Sequence, residues 1–127
     1  MPKFSKRSQQ KLEQCHEDLQ VLFNDIIKKY DCTIICGYRN EKEQNKAFIA
    51  GHSRLKYPES KHNKIPSLAV DVLPCPVSYS DKEKIRDFAK YVKSIIVKLI
   101  KEDRITHVIK WGGDWKKLVD MPHWEIV

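Results

Sequence analysis

Leu68-Ala69-Val70-Asp71-Val72-Leu73 is the stretch on which the reading of this chain turns. Its valines are β-branched, its other neighbours are apolar, and Pro74 and Pro76 close it, so it reads as a buried strand. Asp71 is the one polar residue in that run. An ionised carboxylate buried without a partner costs roughly several kcal/mol, so Asp71 calls for a cation or for several hydrogen bonds. A metal ion would meet that need, and so would a salt bridge to one of the 24 Lys and Arg side chains.

Working outward toward the N-terminus, His52 to Ser67 shows no periodicity and contains Pro58 and Pro66. It reads as a loop of roughly 16 residues, a length that in a compact domain tends to carry function. Asn40 caps a short helix through Glu41, Glu43, Ala47 and Phe48 that ends near Gly51, and Cys32-Thr33-Ile34-Ile35-Cys36 is a buried strand ending at Gly37. Leu12, Cys15, Leu19, Leu22, Ile26 and Tyr30 recur at steps of three and four, which predicts one long amphipathic helix from Ser8 to Tyr30. Toward the C-terminus, Ser80 with Glu83 forms a capping box for a second long helix reaching about Glu102. Thr106 to Trp111 reads as a strand, Gly112-Gly113-Asp114 as a turn, and His123 to Ile126 as a short terminal strand. The order predicts an α+β fold, a small antiparallel sheet packed against helices, with residues 1–127 forming a single domain.

Composition narrows the class. Apolar residues make up 41% of the chain and charged residues 32%, as in a globular domain rather than a disordered one. No apolar run approaches the roughly 20 residues that cross a bilayer, and Met1 to Gln10 lacks the apolar core of a secretory signal, so no integral membrane segment and no export signal are expected. The net charge of +7 favours an anionic partner: nucleic acid, an anionic membrane surface or an acidic cell-wall polymer. The basic residues are spread as on solvated helix faces, with no RRM, zinc-finger or homeodomain signature; a basic nucleic-acid-binding module is the alternative from a different class. Cys15, Cys32, Cys36 and Cys75 lack metal-site or disulfide-framework spacing and read as reduced core cysteines.

Among the five histidines, His16 and His107 read as packed or surface residues, and His52 sits at the Gly51 turn. His62 and His123 have acidic company. His62 lies nine residues before Asp71, and Asp120 lies three residues before His123. Pro122 keeps Met121 out of helical geometry, placing Asp120 and His123 on a rigid turn that leads into a strand. Two histidines and one carboxylate form a three-ligand set with an open fourth position, as in catalytic rather than structural zinc sites. Trp111, Trp115 and Trp124 read as core or rim packing, and Glu125 either orients a ligand or faces solvent.

Three blocks in this order, Gly37-Tyr38-Arg39, Ser60-Lys61-His62 with Ala69-Val70-Asp71, and Asp120-Met121-Pro122-His123-Trp124, resemble the zinc-dependent peptidoglycan peptidases. That group includes D-alanyl-D-alanine carboxypeptidases, dipeptidases of vancomycin resistance and bacteriophage L-alanyl-D-glutamate endolysins. The resemblance, covering residues 35–125, implies a hedgehog/DD-peptidase-like fold and Zn2+ held by His62, Asp71 and His123. It implies Asp120 as general base, Arg39 as stabiliser of the oxyanion and Ser60 as a substrate contact. The implied partner is a peptidoglycan stem peptide rather than nucleic acid, met by a monomer. With neither export signal nor separate wall-binding module, the phage-type L-alanyl-D-glutamate endopeptidase is favoured over a D-alanyl-D-alanine carboxypeptidase. Such an enzyme is made in the host cytoplasm and acts at the cell wall, where the positive charge serves adhesion. One departure stands out: the family spaces its first His and its Asp as His-x-x-Gly-x-Ala-x-Asp, whereas His62 to Asp71 is two residues longer and has no glycine. The loop before Pro66 is expected to absorb the excess, leaving Ala69 and Asp71 in strand phase.

Overall fold

The computed structural model describes residues 2–127. Where one helix is predicted from Ser8 to Tyr30, there are two, α1 (Lys6–Glu13) and α2 (Glu17–Ile26). A distant segment causes the break. Ser67 donates its N–H to the Gln14 carbonyl at 2.9 Å, and His16 donates to the Ser67 carbonyl at 2.8 Å, so Cys15 pairs with Ser67 as an isolated bridge. Backbone groups that would continue the helix are thereby taken up. His16 restarts it as an N-cap, its Nδ1 accepting from the Asp18 N–H at 3.0 Å. The apolar period survives the break, since Leu12, Cys15, Leu19, Leu22, Phe23 and Ile26 are all buried.

Strand β1 (Cys32–Cys36), helix α3 (Glu41–Ile49), strand β2 (Ala69–Pro74), helix α4 (Lys82–Lys101) and strands β3 (Ile109–Trp111) and β4 (His123–Ile126) complete the regular structure. The sheet order is β1-β2-β4-β3 and every pairing is antiparallel, so the α+β expectation holds. Two boundaries are corrected. Asp81 rather than Ser80 caps α4, its carboxylate accepting from the Lys84 N–H at 3.2 Å. β3 starts at Ile109 because the Thr106 and His107 N–H groups turn away to the Asp18 carboxylate, at 3.1 and 3.0 Å.

Helices α2 and α4 cover one face of the sheet, with Leu22, Phe23, Phe88, Val92, Leu99 and Trp124 in the core between them. Strand alternation does the rest. Val70 and Val72 on β2, and Trp124 and Ile126 on β4, belong to that core, which turns Asp71, His123 and Glu125 to the opposite face. The register sets Asp71 directly across from His123. All four cysteines are free; Cys15 and Cys32 are buried as predicted, whereas Cys36 and Cys75 are only half-buried. Among the described residues no helix is long and apolar enough to cross a membrane.

Candidate active site and metal centre

The polar face of β2 and β4 meets the end of the long loop, where Lys61–Asn63 form a short 3-10 turn. Ser60 caps that turn: its Oγ accepts the His62 N–H at 3.2 Å, while Asn63 Oδ1 accepts the Ser60 N–H at 3.0 Å. The His62 ring donates through Nδ1 to the Gly37 carbonyl at 2.7 Å, which aims Nε2 at Asp71. Gly37 is required there, because a Cβ would collide with the Lys11 carbonyl oxygen. On the other side His123 bonds Glu125 Oε1 through Nε2 at 2.8 Å, leaving Nδ1 to face inward.

His62 Nε2 and His123 Nδ1 each lie 3.3 Å from Asp71 Oδ1, and 3.3 Å from one another. Ligands 2.0–2.2 Å from a shared tetrahedral ion sit about 3.3–3.5 Å apart, so these three donors match a zinc-sized site. Asp71 Oδ1 is fully buried and has no hydrogen-bond partner among the described residues. A buried carboxylate oxygen flanked only by two imidazole nitrogens is what a cation would complete.

The electrostatics agree. Burial alone would raise the Asp71 carboxyl pKa, yet the two rings hold it well below the usual range. Burial disfavours charge on His62, but Asp71 outweighs it and raises that ring's pKa. Glu125, held down to about 2 despite partial burial by His123 and by Lys61, stays ionised behind His123.

Asp120 lies beside this trio on the turn before β4. Its N–H donates to the Gly112 carbonyl at 3.0 Å, its own carbonyl accepts the His123 N–H at 3.1 Å, and its Oδ2 is 3.7 Å from His123 Nδ1. Gly112 allows this approach, since a Cβ there would meet the Asp120 carbonyl oxygen and come within 2.9 Å of His123 Cβ. Burial, then the nearby Asp71 charge, raises the Asp120 carboxyl pKa. Arg39 stands opposite, Nη2 at 3.6 Å from Asp71 Oδ2, with Nη1 donating to Gln44 Oε1 at 3.0 Å and Nε to Cys36 Sγ at 3.4 Å.

Two cavities of about 640 and 490 Å³ meet at Arg39, His52 and Asp120, with the histidine-aspartate trio between them. Arg39, Ser60, His62, Asp71, Asp120 and His123 therefore border one cleft. Ser60 lines the smaller lobe while its hydroxyl also caps the His62 turn. Between His62 and Asp71 the chain passes through the exposed stretch Lys64–Pro66, with Ile65 83% exposed, before Ser67 bridges to Cys15 and β2 begins. Three participants escaped the sequence reading. Trp115 places its ring 5.0 Å from that of His123, Gly112 admits Asp120, and Gln44 holds Arg39. The Gly-Gly pair was a signal of close approach as well as of a turn; nothing local marks Gln44.

The chain is a peptidase that works on peptidoglycan. The chain belongs to the phage L-alanyl-D-glutamate peptidase family, whose model matches residues 1–126. Its reaction is accordingly hydrolysis of the bond between L-alanine and D-glutamate in peptidoglycan. Among solved structures, the crystal structure of the Serratia marcescens L-Ala D-Glu endopeptidase ChiX shares the fold, with a TM-score of 0.78 and 24% identity over 99% of this chain and 91% of that one.

Proposed function

We propose that this endopeptidase depends on zinc held by His62, Asp71 and His123. The unpartnered Asp71 Oδ1, shared by two imidazoles at 3.3 Å, carries that reading. When bound there, zinc polarises the scissile carbonyl and acidifies a water. Asp120, with its raised pKa, takes the proton of the attacking water and passes it to the leaving D-glutamyl nitrogen. Arg39 donates to the carbonyl oxygen as charge develops on it. Glu125 fixes the tautomer and ring orientation of His123, and Ser60, at the cleft wall, contacts the stem peptide while holding the His62 turn. Residues 1–127 act as one catalytic domain and as a monomer made in the host cytoplasm, and the net charge of +7 favours adhesion to the anionic wall over nucleic-acid binding.

The test is digestion of purified peptidoglycan by enzyme dialysed against a chelator, then supplied with zinc. Loss and recovery of a new D-glutamyl amino terminus by mass spectrometry is expected. Full activity in metal-free protein would remove zinc from the reaction, and release of free D-alanine instead would shift the cleaved bond toward the carboxypeptidase alternative.

A further inference from the structure

Helix α3 buries only one residue, and that residue is a glutamine. Gln44 has no exposed surface, while neighbours such as Ile49 on the same helix are 84% exposed. An apolar stripe would explain a packed helix; here the buried contact is polar instead. The Gln44 amide is satisfied on both sides. Its Oε1 accepts from Arg39 Nη1 at 3.0 Å and from Asn63 Nδ2 at 3.1 Å; its Nε2 donates to the Leu55 carbonyl at 2.7 Å and to Ser53 Oγ at 2.9 Å. The orientation follows from chemistry: a guanidinium only donates and a backbone carbonyl only accepts, so the oxygen must face Arg39.

The same network reaches the turn that carries His62. Asn63 Nδ2 also donates to the Arg39 carbonyl at 3.1 Å, and the Arg39 N–H donates to the His62 carbonyl at 2.8 Å. Arg39 is thus tied by its backbone to the His62 turn and by its guanidinium to Gln44. With no exposed atom, Gln44 cannot touch substrate. We propose that Gln44 is a positioning residue, the buried anchor that holds the Arg39 guanidinium toward the carbonyl oxygen of the scissile bond.

This rests on the role given above to Arg39, and the two are separable by a double-mutant cycle. The variants are Arg39→Ala, Gln44→Met, which keeps the volume without the amide, and the double variant, each read for kcat, KM and bound zinc. Gln44→Met is expected to lower kcat about 10- to 100-fold with KM and zinc little changed, as for other supporting residues of a site. The double variant is expected to be no worse than Arg39→Ala, because Gln44 acts through Arg39. Gln44→Glu keeps an acceptor for Arg39 but sets a carboxylate oxygen against the Leu55 carbonyl. It is expected to hold kcat within about threefold of wild type while the 53–55 loop loosens to protease. Multiplicative losses in the cycle, or equal loss in Gln44→Met and Gln44→Glu, would show a loop anchor instead and overturn the proposal. Should Gln44→Met not fold, Gln44→Asn, which draws the amide back by one methylene, replaces it in the cycle with the same criteria. Unimpaired Arg39→Ala would overturn the role of Arg39 itself; impaired Arg39→Ala with unimpaired Gln44→Met would overturn only that of Gln44.

Discussion

Two clusters in this protein have the same composition, two histidines and an aspartate, with donor atoms within 4.8 Å of one another: His62, Asp71 and His123, and His16, Asp18 and His107. Their chemistry differs because of what else touches the carboxylate. Asp18 Oδ2 accepts the Thr106 and His107 N–H groups and His107 Nδ1, the last at 2.7 Å, while His16 Nδ1 accepts from the Asp18 N–H. Those donors are engaged by the protein itself. Asp18 staples the start of α2 to the segment entering β3, and the His107 side chain remains 43% exposed. At Asp71, by contrast, both rings have their outer nitrogens fixed by Gly37 and Glu125, their inner nitrogens converge, and the oxygen between them has no hydrogen bond. The two clusters share their residue types and differ in whether the carboxylate's demand for partners is met by the protein itself.

The largest effect should separate the two clusters outright. Asp71→Asn is expected to lose bound zinc and fall to background hydrolysis, whereas Asp18→Asn should keep both, as elemental analysis and peptidoglycan digestion would show. Zinc retained in the first variant, or lost in the second, would break the contrast. Next comes Asp120→Ala, expected to lower kcat by about 10²- to 10⁴-fold with zinc content unchanged, the signature of a lost proton acceptor. A near wild-type rate would take Asp120 out of the reaction.

A smaller effect belongs to the staple. Asp18→Ala should cost about 1–3 kcal/mol in denaturant unfolding, because the part-buried hydrogen bonds from the Thr106 and His107 N–H groups lose their charged acceptor, while kcat stays unchanged. The smallest effect is its pH dependence. Burial would raise the Asp18 pKa, but its bonds to His107 and Thr106 lower it below the ordinary carboxylate value. A depressed folded pKa gives stability that is present above the unfolded value of about 3.9 and lost as pH falls through the folded one. The stability gap between wild type and Asp18→Ala should therefore narrow below about pH 4. A gap that persists unchanged into that acid range would mean that the Asp18 charge contributes nothing.

How much of this was legible in the sequence differs from residue to residue. β4 has the predicted bounds, His123 to Ile126, because Pro122 and the alternation of Trp124 and Ile126 act within a few residues. The Asn40 capping box is likewise local, closed by Glu43 three residues on. The helix break at Cys15 was not legible, since Ser67 makes it from across the fold. Gln44 looked like any helix glutamine, for its burial depends on Ser53, Leu55 and Asn63 closing around it.

By itself the sequence determined the strand that carries Asp71, the turn that carries Asp120 and the short set of histidines worth weighing. Periodicity, proline and an acid in an apolar run are signals that a few consecutive residues complete. Only the tertiary structure decided which aspartate stays unsatisfied between two imidazoles and which is quenched by backbone N–H groups. The deciding partners, Gly37 for His62 and Thr106 for Asp18, come from distant segments, and hydrogen bonds between them exist only once the chain has folded.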